Sequence, residues 1–267
     1  MQHNLFEWND NSSVISAKSI SKDKINIANQ LALFFEILYA GKTPRMNSDG
    51  VSSHEAVTSG SFQTISGGSM GIPKVLERTC ISWILSFNTN DRFYNLSGSR
   101  VALFGSLSHS LSLYGALEAI FLGCELHHLA GLSPRSQLKY LENKKIEILY
   151  VTPTQLRLML SAKSQSYIID SLRYIFIGGA SIKQNTLMEL SELAPNAELK
   201  QFYGSSETSF ITISDQFTPA NSVGKAYPGV EIVLGERPDK PVSLGETGRV
   251  WVRSPFLFSK YVGDDSF

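Results

Sequence analysis

Apolar residues recur at helical spacing from Ile25 to Ala40, where Ile27, Leu31, Phe34, Phe35 and Leu38 fall on one face and Gly41 supplies a stop. The stretch before it, residues 10–24, is rich in Ser, Lys and Asn and reads as a loose polar segment, so residues 1–24 are set apart from a core spanning 25–267. Residues 42–59 read as loop. Lys74-Val-Leu-Glu-Arg78 alternates as a strand does, and Ile81, Trp83, Ile84, Leu85 and Phe87 suggest a helix.

From residue 101 the pattern becomes regular. Val101–Phe104 is a strand and Leu111–Leu122 a helix closed by Gly123. Glu125–Leu129 is the next strand, and Ser133-Pro134 starts a helix with serine as N-cap and proline at the first position. Glu147–Val151 is followed by the same start signal in Thr152-Pro153, Arg173–Ile177 by Gly178-Gly179 and a helix near 183–193, and Glu198–Phe202 closes the run. Repeated β–α alternation with short connectors predicts an α/β fold with a mostly parallel sheet flanked by helices. After Glu207 the rhythm changes to short β runs at Thr208–Ile213, Glu231–Leu234 and Arg249–Arg253, which predict an antiparallel β tail, possible as a subdomain over 208–267.

Composition narrows the function classes. The 267 residues are 42% apolar and 18% charged, enough for a substantial core. Zero formal net charge gives no support for nucleic acid as a partner. Cys80 and Cys124 have no metal or redox spacing, which points to a reduced, cytoplasmic setting. The opening residues do not read as a signal peptide, and the longest apolar stretch, Leu31–Ala40, is too short and too polar for a membrane span. His127-His128 lies on a predicted strand without a carboxylate at ligand spacing, so no metal is assigned to it.

The chemistry concentrates in two stretches. Ser66-Gly67-Gly68-Ser69-Met70-Gly71-Ile72-Pro73-Lys74 is a glycine-rich, hydroxyl-bearing loop that ends in a cation. Its glycines permit close approach of a ligand to the backbone, and its serines can donate to phosphate. A Walker A loop opens directly from Gly-Lys-Ser/Thr into a helix, whereas Lys74 follows proline and leads a strand, so that reading is excluded. Taken alone, the loop reads equally well as a surface hairpin. Tyr203-Gly204-Ser205-Ser206-Glu207 is a glycine turn with hydroxyls and one carboxylate, suited to Mg²⁺. Three glycine-bearing turns (66–74, 178–180 and 203–204) fall at predicted strand ends, where open parallel α/β sheets bind ligands.

With these motifs in order, the chain resembles the AMP-forming acyl-adenylating superfamily of acyl-CoA synthetases, luciferases and nonribosomal-peptide adenylation domains. Ser108-His109-Ser110-Leu111, Val151-Thr-Pro-Thr154, Phe176-Ile-Gly-Gly-Ala-Ser181, Ser222–Glu231 and Gly245–Arg253 extend the match over about 29–261. The resemblance implies the fold of the large N-terminal domain of acyl-CoA synthetases. It implies that a small carboxylic acid attacks the α-phosphate of ATP, giving an acyl-adenylate and pyrophosphate. Coenzyme A or a carrier-protein phosphopantetheine thiol then takes the acyl group. Carried over, Ser66, Gly67, Gly68, Ser69, Gly71 and Lys74 would hold phosphates. Glu207 would ligate Mg²⁺ with Ser69, and Ser205 or Ser206 would touch the α-phosphate beside Gly204. Gly179, Ala180 and Tyr203 would frame adenine, and His109 and Gly178 would border the acyl pocket. Lys74, Glu207 and His109 would be the catalytic set.

Three departures from the superfamily pattern stand out. Met70 replaces the usual Ser or Thr, the segment before the glycine loop is short, and the sequence stops at Phe267, ahead of the superfamily's hinge and C-terminal lid. The implied protein is an adenylating core lacking that lid, which a separately encoded partner could supply. A non-catalytic nucleotide- or acyl-binding remnant is the alternative.

Overall fold

The computed structural model describes residues 4–17, 26–66, 73–163, 167–215, 217–219 and 221–263. An eight-stranded sheet organises the chain. Its strands run in the order β1 (Ser13–Ser16), β7 (Glu125–His128), β6 (Arg100–Leu103), β8 (Ile148–Val151), β9 (Tyr174–Ile177), β10 (Glu198–Ser205), β11 (Ser209–Ile213), β12 (Lys225–Ala226). The first six are parallel, and β11 and β12 add antiparallel to the β10 edge. The α/β alternation predicted from the sequence is therefore present, with an antiparallel addition.

The sheet's two faces separate by strand periodicity. Leu149, Val151, Ile175 and Ile177 point to a core closed by α4 (Pro134–Asn143), α5 (Pro153–Ser161) and α6 (Gln184–Leu193). Ile148, Tyr150 and Phe176 point to the opposite core, shared with α1 (Ile27–Tyr39), α2 (Cys80–Tyr94) and α3 (Ser110–Phe121). Burial on both faces explains why β8 reads as a continuous apolar run. A second sheet, in the order β16 (Lys260–Tyr261), β5 (Val75–Thr79), β4 (Ser61–Ile65), β2 (Thr43–Met46), β3 (Val51–His54), joins this second core through Phe62. A third pairs β14 (Lys240–Pro241), β13 (Glu231–Arg237) and β15 (Arg249–Arg253).

Three expectations need correcting. Residues 4–17 are not loose: β1 pairs with β7, and Phe6 is fully buried against Phe62 and Phe87. Residues 42–59 are not simply a loop, because they hold β2 and β3. The tail after residue 208 is antiparallel as expected, but it divides among all three sheets and does not form one subdomain.

Candidate active site

The site lies where the two larger sheets meet. Strand β4 leads into the glycine loop and β5 leads out of it. The loop's base is closed by reciprocal bonds: the Ser66 N–H donates to the Lys74 carbonyl and the Lys74 N–H donates to Ser66 Oγ, both at 2.9 Å. Gly67, Gly68, Ser69, Met70 and Gly71 lie outside the described residues. Lys74 is exposed, and its ammonium sits 4.5 Å from the ring centre of Tyr261.

The second half of the site is the turn after β10. A bulge at Tyr203/Gly204 brings the chain so close to β11 that a Cβ on Gly204 would lie 1.8 Å from the Ser209 carbonyl oxygen. Ser209 itself takes a left-handed φ of 57°. Within the turn, Ser205 N–H donates to Thr208 Oγ1 at 3.0 Å, and Glu207 N–H donates to Ser205 Oγ at 3.3 Å. The half-buried Glu207 accepts the Tyr261 hydroxyl on Oε1 at 2.9 Å. Its other oxygen has no protein donor among the described residues.

Arg78 ties this turn to β5. Its side chain has no exposed surface. It donates to the carbonyls of Ser206 (2.6 Å), Glu207 (3.3 Å) and Phe256, and to Ser209 Oγ (2.9 Å). Trp83 Nε1 donates to the same Ser209 oxygen at 3.2 Å, and the guanidinium rests against the Trp83 ring. Burial pulls the Arg78 guanidinium down to about 9, while the negative charge of Glu207 opposes that fall. A buried cation thus fixes the backbone that presents the carboxylate.

Ser110 bridges the two halves, its hydroxyl lying 3.3 Å from Ile65 O and 3.1 Å from Ser206 Oγ. The backbone of His109 pairs with Ile65, and His109 caps α3 without a side-chain bond, its imidazole exposed. The positive end of α3 therefore faces the glycine loop's base and the carboxylate turn. Along the strand ends, Gln201 pairs with Ile177 as the last pair of that ladder, and Tyr203 and Gly179 each follow two residues on. Tyr203, Gly179 and Ala180 are all exposed there. Gly179 has φ +96°, a conformation costly to any side chain. Gly178 is buried, and the Phe202 ring fills the place of its Cβ.

The structure thus brings Ser66, Lys74, His109, Ser205, Ser206 and Glu207 to one region, with Gly179, Ala180 and Tyr203 on neighbouring strand ends. Sequence reasoning missed Arg78, Ser110 and Tyr261 as parts of this site. Arg78 and Tyr261 gave no local signal, since both act through pairing of distant segments. Ser110 stood inside a quoted motif beside a more conspicuous histidine. His127 and His128 are held by the scaffold: His127 by Glu125 (2.7 Å) and Tyr140 (3.0 Å), and His128 by the Gly105 carbonyl (2.9 Å).

The residues present suit a magnesium-bound phosphate. No group of three His, Cys, Asp or Glu side chains that could hold a metal alone occurs among the described residues. A single carboxylate with one open oxygen fits Mg²⁺, which is commonly held by one or two carboxylates plus substrate phosphates.

Comparison with known proteins shows the family and the fold. The family model for AMP-binding enzymes matches residues 58–262. VraA of Staphylococcus epidermidis, by name a candidate long chain fatty acid-CoA ligase, is 33% identical over 201 residues, covering 74% of this chain and 43% of that protein. YhfT of Bacillus subtilis, named as an uncharacterized acyl-CoA ligase, is 31% identical over 205 residues, 75% of this chain and 42% of that protein. The chain thus spans less than half the length of these curated relatives. Among solved structures, o-succinylbenzoate coenzyme A synthetase (MenE) of Bacillus subtilis, in complex with ATP and magnesium ion, superposes with a TM-score of 0.67 at 21% identity, covering 77% of this chain and 43% of that one.

Proposed function

Because this chain belongs to the AMP-binding enzyme family, we propose that it binds a magnesium-bound adenine nucleotide and activates a carboxylic acid as an acyl-adenylate, for transfer to a thiol. The observation that carries the reading is the convergence of an exposed cation, Lys74, and a half-buried carboxylate, Glu207, on one hydrogen-bonded cluster at a helix N-terminus. Activation joins a carboxylate oxygen to the α-phosphorus and breaks the bond to the pyrophosphate leaving group. Magnesium, when bound, offsets charge on the phosphate oxygens.

The chain's own residues supply positioning and charge. Lys74 and Ser66 at the base of the loop would be the groups nearest the β- and γ-phosphates. Glu207, locked from below by Arg78, offers an oxygen to the metal. Ser205 and Ser206, in the same turn as Glu207, would contact the α-phosphate. The exposed strand ends at Gly179, Ala180 and Tyr203 offer an open backbone and a ring for adenine. His109, exposed at the start of α3, would border the acyl group. The names of VraA and YhfT support an acyl group destined for coenzyme A, and a long-chain acid is the substrate class to test first.

Calorimetric titration with Mg-ATP tests this directly. Saturable, Mg²⁺-dependent heat is expected. Glu207→Gln should weaken Mg-ATP binding by about tenfold, the scale of one contact to a charged group. It should lower thermal stability modestly and leave the fold intact: a glutamine oxygen still accepts the Tyr261 hydroxyl, but the charge that offsets burial of Arg78 is gone. Absence of heat from the folded wild-type protein at millimolar nucleotide sinks the reading.

A further inference from the structure

Tyr261 stands between the two charged groups of the site. Strand β16 pairs Tyr261 with Leu76 of β5, and the alternation of a strand puts residue 74 on the same face as Leu76. The Tyr261 ring therefore meets Lys74, with the ammonium 4.5 Å from its centre, while its hydroxyl donates to Glu207 Oε1 at 2.9 Å. The strand is anchored on both sides. The Ser259 N–H donates to the Glu77 carbonyl at 2.8 Å and the Val262 N–H to the Val75 carbonyl at 2.9 Å. The Phe258 N–H donates to the carbonyl of Glu207 itself at 2.8 Å.

We propose that Tyr261 is a positioning residue that keeps Lys74 and Glu207 apart and correctly aimed for a magnesium-bound nucleotide polyphosphate. An exposed lysine beside a carboxylate can close into a surface ion pair. That would neutralise the groups needed at the phosphate and at the metal. The ring face holds the ammonium without consuming any of its three N–H donors. The hydroxyl engages one carboxylate oxygen and leaves the other open. Lys74 and Glu207 make no ion pair with each other in the structure, although both contact the same side chain.

This inference rests on reading Lys74 and Glu207 as the phosphate and metal groups. Two variants of the full chain separate the roles of ring and hydroxyl. Tyr261→Phe keeps the ring and removes the donor to Glu207. Its affinity for Mg-ATP should fall about tenfold, the scale of a hydrogen bond to a charged group. Its affinity for ATP measured without metal should hold. Tyr261→Leu also removes the ring, so metal-free ATP should weaken by roughly a further threefold, the scale of an exposed cation–π contact. AMP, which lacks the outer phosphates, should bind all three proteins alike. The inference is overturned if wild type binds Mg-ATP and both variants match it within twofold. It is equally overturned if Mg-ATP, ATP and AMP all weaken together with a lower melting temperature, which marks a purely structural role. A wild-type protein that binds no nucleotide removes this inference together with the reading beneath it.

Discussion

At the scale of single residues, the most consequential group outside the site is Glu118. It lies on the buried face of α3 and accepts hydrogen bonds from Asn90 (2.8 Å), Tyr114 (3.2 Å) and Tyr150. Tyr227 extends the network by donating to Asn90 at 2.6 Å. Burial pushes the Glu118 carboxyl up to about 7, against the opposing effect of its donors. The folded state therefore binds this proton more tightly than the unfolded chain. Its stabilising contribution is complete below the ordinary carboxylate range, near 4.5, and is lost as pH rises through about 7. Denaturant unfolding from pH 4.5 to 7.5 should show wild-type stability declining by on the order of 2 kcal/mol from this group. Glu118→Gln should be less stable at acid pH yet flatten that slope. An unchanged slope in the variant removes Glu118 as its source. Arg78 is a second buried charge, but its acceptors all belong to segments that shape the site, so its burial has a local purpose.

At the scale of elements, the helix starts were the most legible features. Thr152 caps α5 with a capping box, its hydroxyl accepting from the Gln155 N–H while Gln155 bonds back, and Pro153 occupies the first turn. Thr152→Ala should cost about 1 kcal/mol in urea unfolding. A cost near zero would mean that tertiary packing, and not the cap, fixes this start. The strands missed from sequence share a different trait. Across the second sheet, Ser52, Arg45, Gln63, Glu77 and Lys260 stand in register as one row. One face of β2 and β3 is thus polar even where it is buried, so no apolar alternation marked them as strands. Strand β1 has four residues, Ser-Val-Ile-Ser, too few to show a period, and it is made a strand by β7 far along the chain.

At the scale of the whole molecule, the α/β architecture was legible because the central strands and their helices repeat a local signal. The site was legible only in part. Lys74 and Glu207 were marked by glycine-rich motifs, whereas Tyr261, Arg78 and Ser110 became visible once distant strands were paired. The N-terminal segment makes the same point. Phe6 belongs to the core that also holds α1, α2 and α3, with its ring centre 5.1 Å from that of Phe62 and 5.8 Å from that of Phe87. Phe6→Ala should lower global stability by about 3–5 kcal/mol and shift a single cooperative transition. If residues 4–17 were an appendage, the melting curve would barely move.

Tyr261 closes the site from a position nearly two hundred residues beyond the lysine it covers. On the ribosome, the glycine loop and Lys74 are made early, but β16 is among the last described segments to be synthesised. Strand β1 likewise waits for β7 before it has a partner. Such long-range pairings are slow to form, and the unpaired strand edges invite association with other chains in the interval. Nascent chains halted before residue 260 should therefore contain the glycine loop and Lys74 without the tyrosine that contacts both Lys74 and Glu207. Nucleotide-binding competence would then wait for β16 to pair with β5, as a step distinct from formation of the parallel sheet.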